Sequence, residues 1–315
     1  MAMEKGRIGI AFQELAPAAT LEAIARADAM GVPSWWLATG GAGPDALTLF
    51  AAAAARTRAI RMGTSIVPTF PRHPLVTAQQ AQVIVNLAPG RLALGVGPSH
   101  GPIMAGTFGI PFERPLEHLS EYVTVLKAAL QTGRVDFDGA RFHVHAQAPY
   151  PAPVPVMVSA LQANSFRLAG RVADGAISWI CPASYLRDVA MPALKEGAAQ
   201  GGRPVPPLVA HAFIALSEDG AAVAASVRKR MAMYPRLPSY ANMLVAAGYP
   251  EVRSGEWSDA MLDAVVIHGD EASVAAGLRS FMDTAGSSEL IASLIPTGAD
   301  IQADLDRAMR LIASL

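Results

Sequence analysis

A short run rich in β-branched and aromatic residues, followed by a longer stretch with apolar residues at helical spacing, recurs along the chain, and this alternation constrains the fold more than any other feature. Strands are expected over 7–12, 34–39, 61–67, 91–96, 155–159, 174–179, 208–216 and 289–295. Helices are expected over 18–30, 44–58, 74–87, 113–131, 163–172, 183–200 and 300–315, with a mostly helical stretch over 220–256. Gly31 suits the end of the first helix, and Pro44 and Asp45 suit the start of the second. Strands that alternate with helices imply an α/β fold with a parallel sheet. Eight such units imply a closed (β/α)8 TIM barrel more readily than an open doubly wound sheet, which stands as the alternative. Two segments exceed a minimal barrel: an insertion near 133–153, read as a hairpin turning at Asp138-Gly139, and the insertion at 220–256. The whole of 1–315 is read as one barrel domain.

Composition narrows the function classes. The formal net charge is −1 and no block of like charge occurs, so neither a nucleic acid nor an anionic membrane is expected as a partner. The longest apolar run, Leu47 to Ala55 with Thr48 inside it, is far shorter than the roughly 20 residues of a membrane span. The first residues, with Glu4, Lys5 and Arg7 before a short apolar stretch, read as a strand and not as a secretion signal. Cys181 is the single cysteine, which excludes an intrachain disulfide and a cysteine metal cluster and fits a reducing cytoplasm.

In a parallel barrel the chemistry sits at the carboxyl ends of the strands. The residues expected there are Thr39; Thr64, Ser65 and Ile66; Gly95, Gly97, Pro98, Ser99 and His100; Ser159, Ala160, Leu161 and Gln162; and Trp179 and Cys181. They are small, apolar or hydroxylated. Paired acids for glycoside chemistry, a metal-spaced His/Asp cluster, a nucleophile elbow and a P-loop are all missing from the sequence. Such a site must import its reactivity from an organic cofactor. Gly95-Val96-Gly97 permits either close approach of a flat ring or simple turn formation. It does not complete a dinucleotide fingerprint, because Pro98 follows. The residues joining the fifth strand to its helix would offer free N–H groups to a phosphate.

Several stretches carry a family resemblance. The block 61–100, ending in GRLALGVGPSH, resembles the luciferase-like superfamily, and that ending resembles its coenzyme F420-dependent branch. RPLEHLSEYVTVLKAAL at 114–130, VDFDG at 135–139 and PVPVMVSALQANSFRLAGRVADGAISW at 153–179 are similar to the same branch. The resemblance implies a deazaflavin ring over the barrel mouth, backed by a bulge after the third strand with a cis bond between Ser65 and Ile66. It implies contacts from Thr39, Thr64, Gly95 and the loop from Gly97 through Pro98 and Ser99 to His100. It places the cofactor phosphate near Ser159, Ala160, Leu161 and Gln162, and a substrate pocket at Phe12, Trp179 and Cys181. The sequence departs from better-armed members at Thr39-Gly40, where an acid or histidine often stands, and at His100, where some carry glutamate. His100 is thus the candidate catalytic residue, with a role in holding loop backbone as the alternative. His73, His118, His143 and His145 are read as structural or exposed, and Trp35 and Trp36 as core.

The implied activity is hydride transfer between C5 of F420 and a small-molecule substrate that is neutral, such as an unsaturated, imine or carbonyl compound. An FMN-dependent monooxygenase on the same fold and a barrel that binds cofactor without turnover are the rival readings. Family habit implies a homodimer.

Overall fold

The structure is a computed structural model and describes residues 6–13, 15–298 and 300–315. Eight parallel strands close into a barrel: β1 (Ile8–Ala11), β2 (Ser34–Leu37), β3 (Arg61–Thr64), β4 (Leu92–Gly97), β5 (Val156–Ser159), β6 (Gly175–Ile177), β7 (Leu208–Ala215) and β8 (Glu289–Leu294). Closure is explicit: Leu208 pairs with Ala176 and Val209 with Ile177, while β8 pairs with both β7 and β1. That pairing excludes the open sheet. No helix among the described residues is long and apolar enough to cross a membrane.

The barrel interior explains several sequence choices. Successive strand residues point to opposite faces, so every second residue points inward. Ala11, Trp36, Ala93, Met157, Ile177, Val209 and Ile291 form one inward layer, with Ile66 packed against it. Trp36 is fully buried and dominates that layer. It fits because Gly9 and Gly63 give up their side chains: a Cβ at either would run into the indole. Its Nε1 donates to Ser34 Oγ at 3.0 Å, and Ser34 donates to Glu289, which also takes the Arg61 guanidinium at 2.8 Å. A buried indole N–H therefore has its acceptor, and the acceptor lies in a polar cluster at the amino end of the barrel.

The outer layer follows the expected pattern with three differences. The second helix is shorter, Ala46–Ala54, because the Asp45 carboxylate caps it by accepting from Thr48 N at 2.9 Å, leaving Pro44 outside. A helix at Gly101–Phe108 follows β4, unannounced by the weak periodicity of a segment with two glycines and ended by Gly109 at φ 65°. Between β7 and β8 the chain adds a strand, Val266–His268, paired with β7, and a helix, Glu271–Ala285, capped by Asp270 and Gly286. The hairpin is present as Arg134–Asp138 against His143–Gln147. Its turn is held by Glu121, whose carboxylate accepts from the amides of Ala140, Arg141 and Phe142 at 2.9, 2.8 and 3.1 Å.

Candidate active site

One step above the inward layer lies the floor of the barrel mouth. Two residues on from members of that layer stand Ser159 after Met157, Trp179 after Ile177, His211 after Val209 and Ser293 after Ile291, and Gly97 stands four residues on from Ala93. The contacts bear this out. A Cβ on Gly97 would collide with Ser159 Oγ and lie 3.2 Å from Ile66 Cγ1. His211 Nδ1 is 3.2 Å from Ser293 Oγ, and the Trp179 ring meets the His211 ring edge-on at 4.8 Å. Ile66 completes the floor.

Ile66 is carried by a bulge between β3 and the short pairing of Val67 and Pro68 with β4. The Ser65–Ile66 bond is cis. The bulge is tied to β2 by Ser65 N donating to Leu37 O at 2.8 Å and Thr39 N donating to Ile66 O at 3.0 Å. Thr64 is fully buried, and its hydroxyl brackets Gly95, accepting from its N–H at 2.8 Å and donating to its carbonyl at 2.7 Å. It positions the strand ends, and its hydroxyl proton is committed to Gly95. Thr39 is similarly engaged: its hydroxyl accepts from Ala46 N at 3.0 Å and lies 3.3 Å from Asp45 Oδ1. Burial works to raise the Asp45 carboxyl, but Arg72 and Thr48 outweigh it and hold its pKa below the usual range.

The rim of the mouth is aromatic. Pro98, Ser99 and His100 are half-buried after β4. The His100 ring packs edge-on against Tyr240 at 5.5 Å and Tyr234 at 6.1 Å, and Tyr234 reaches Trp179 at 6.1 Å. Tyr234 and Tyr240 come from the 220–256 insertion, which thus folds over the mouth. Burial lowers the His100 pKa, so its ring is neutral at pH 7. Ser99 and Ile180, both on this rim, hold left-handed backbone at φ 64° and 58°. For non-glycine residues, and a β-branched one above all, that conformation costs on the order of 1–3 kcal/mol and gathers at functional sites.

The start of the helix after β5 is less open than its sequence suggests. Ala160 N donates to Ile177 O at 2.8 Å, and Leu161 N and Gln162 N both donate to Ser165 Oγ, at 2.9 and 3.0 Å. The amides of Ala163 and Asn164, in the first turn of the helix Ala163–Val172, are the ones left without intrahelical acceptors. Gln162 reaches across to the insertion, donating to Ser239 O at 2.9 Å.

Two expected pocket residues are buried. Phe12, just past the end of β1, is buried and packs in the large core cluster. Cys181 is fully buried, its thiol facing the Trp179 carbonyl and pushed up to about 12 by desolvation. His143 and His145 are exposed and paired with Asp138 and Asp136 on the hairpin. His118 is buried, 3.1 Å from Thr69 Oγ1 and stacked on Phe70 at 4.0 Å.

Sequence reasoning passed over His211, a lone polar residue in the apolar strand Leu208–Ala215. With Trp179, Ile180, Phe213 and Val265 it lines a narrow recess with no room as it stands for a water molecule. A larger cleft of about 360 Å³ lies between the helices Gly220–Arg230 and Glu271–Ala285, but it has none of the strand-end residues. The chemistry gathers at the mouth.

Burial pushes the His211 pKa down to about 3 and the His118 pKa down to about 4. The unfolded chain protonates both below about 6.5, so their contribution to stability is fully present above that pH. It drains away as the pH falls from there through about 4 and 3. The melting temperature is expected to fall between pH 6.5 and 4, less steeply in the double variant His118→Gln/His211→Gln. Identical slopes in the two proteins contradict this assignment.

A closed parallel barrel with small, hydroxylated and aromatic residues at its strand ends frames the site; the sequence matches the luciferase-like monooxygenase family over residues 5–288, and the chain belongs to that family. It is 36% identical over 196 residues to an F420-dependent glucose-6-phosphate dehydrogenase of Nocardia farcinica, a match spanning 58% of this chain and 57% of that one. Among solved structures, an F420-dependent secondary alcohol dehydrogenase in complex with an F420-acetone adduct superposes with a TM-score of 0.81 at 18% identity, over 98% of each chain. The FMN complex of a Pseudomonas putida type II Baeyer-Villiger monooxygenase superposes with a TM-score of 0.75 at 16% identity, over 99% of this chain and 97% of that one. At these identities the two superpositions speak for the fold.

Proposed function

We propose that the protein is an oxidoreductase that uses coenzyme F420 to move a hydride to or from a small neutral organic substrate at the barrel mouth. The floor carries this reading. Ile66, Gly97, Ser159, Trp179, His211 and Ser293 include no carboxylate and no ammonium group. A site without strong acids, bases or nucleophiles takes its reactivity from a bound organic group. The relationship to an F420-dependent dehydrogenase supports the choice of that group.

The residues present fit a flat, largely apolar ring. The Ser65–Ile66 bulge and the end of β4 at Gly95 and Gly97 would hold it, and the first-turn amides of Ala163 and Asn164 would take a phosphate. When bound, F420 supplies a carbon that carries hydride and activates oxygen poorly. Trp179, Tyr234 and Tyr240 keep water from the mouth and so strengthen the polar contacts inside it. His100, neutral and half-buried on the rim, accepts or returns the proton that accompanies the hydride.

The test is turnover of F420 against a panel of small ketones, imines and alcohols, in air and under argon. Equal rates in the two atmospheres are expected. A strict requirement for oxygen contradicts the proposal and favours flavin-type oxygenation.

A further inference from the structure

The floor of the mouth has two kinds of polar group. Ser159 stands against the backbone of Gly97, whereas His211 and Ser293 form a pair of their own. They sit on adjacent strands, β7 and β8, one step above the apolar layer of Val209 and Ile291. Both are more than nine-tenths buried, at 5% and 6% exposure, with Nδ1 and Oγ 3.2 Å apart. The rest of the recess at His211 is apolar or aromatic: Trp179, Ile180, Phe213 and Val265.

A buried polar pair among such neighbours costs desolvation that one long hydrogen bond offsets only in part. The pair has a capacity that an apolar floor lacks. When Ser293 donates to Nδ1, Nε2 carries the ring proton and can donate to a carbonyl oxygen. When Nδ1 donates to Ser293, Nε2 is free to accept from a hydroxyl. The His211 ring stays neutral in both arrangements, as its burial requires.

We propose that His211 and Ser293 form the binding site for the substrate's oxygen, and that the substrate is accordingly a small alcohol or carbonyl compound with an apolar body. This rests on the reading of the mouth as the substrate site. His211 supplies the hydrogen bond to the oxygen, and Ser293 sets which tautomer the ring presents. Phe213 and Val265 take the apolar body. Trp179, edge-on to both His211 at 4.8 Å and Phe213 at 5.2 Å, closes the recess and must swing aside for a ligand to enter.

The test measures binding as well as turnover. Cyclohexanone and its oxygen-free isostere methylenecyclohexane are titrated calorimetrically into wild type, His211→Phe, His211→Gln and Ser293→Ala, each with F420 added in excess. Wild type is expected to bind cyclohexanone at least tenfold more tightly than the isostere. His211→Phe should abolish that preference, and Ser293→Ala should weaken it. His211→Gln, which keeps a donor and an acceptor, should restore part of it. Equal binding of the two probes by wild type, or an unchanged preference in both His211→Phe and Ser293→Ala, overturns the proposal. F420 titration of the same four proteins separates the two readings. Wild type that binds no F420 but still prefers the ketone through His211 removes the cofactor assignment and leaves the oxygen site standing.

Discussion

Trp36→Ala is expected to lower stability by about 3–5 kcal/mol, the range for truncating a fully buried tryptophan. The indole is completely enclosed, and the barrel is built around it: Gly9 and Gly63 have no side chain where the ring lies. Alanine would leave a void bounded by two glycines, which cannot fill it from their own positions. The surrounding strands are fixed by hydrogen bonds to both neighbours, so the wall cannot collapse inward. Ser34 would lose the Nε1 donor but keep its bond to Glu289, so the polar cluster below should survive. Urea unfolding of wild type and variant measures the effect. A loss below about 1 kcal/mol would show that the interior does not depend on this side chain.

The second large effect is expected at Gly97. A valine there should weaken F420 binding at least tenfold and also lower the melting temperature by several degrees. In the sequence, Gly95-Val96-Gly97 permits close approach of a flat ring, which would put a side chain at 97 in the ring's space. The structure places that side chain differently, against Ser159 and Ile66, two members of the floor. Accommodating it requires the floor itself to move, and with it the bulge proposed to back the ring. Gly106 is the control. It lies on the exposed surface of the helix Gly101–Phe108, and a Cβ added there meets nothing within 4 Å. Gly106→Ala should bind F420 like wild type and gain about 0.5–1 kcal/mol of stability from helix propensity. Full F420 affinity in Gly97→Val would remove the cofactor from the end of β4.

The barrel was legible because its signal is local. Each strand and the helix after it is a few residues of period two followed by a longer run of period 3.6, and the eight strands fall close to their expected spans. The floor was only half legible. Gly97 and Ser159 end strands and Trp179 stands two residues past one, and position alone nominated them. His211 was missed because it stands in the middle of β7, whose eight residues carry it up to the mouth only through the tilt and register of the closed barrel. The facing of Phe12, just past the end of β1, was not legible either: one residue along a strand reverses the facing, and a strand's end cannot be fixed that finely from sequence. The amides after β5 looked free because the Ser165 hydroxyl that takes two of them lies ahead in the next helix turn. Tyr234 and Tyr240 meet His100 only through tertiary packing, across more than a hundred residues of chain, and no local pattern marks that contact.

The central claim is the cofactor, and the most direct measurement is a pair of fluorescence titrations of the purified protein, one with F420 and one with FMN. The account predicts an F420 dissociation constant at least tenfold below that for FMN, a preference of about 1.4 kcal/mol or more. Equal or tighter binding of FMN would contradict it.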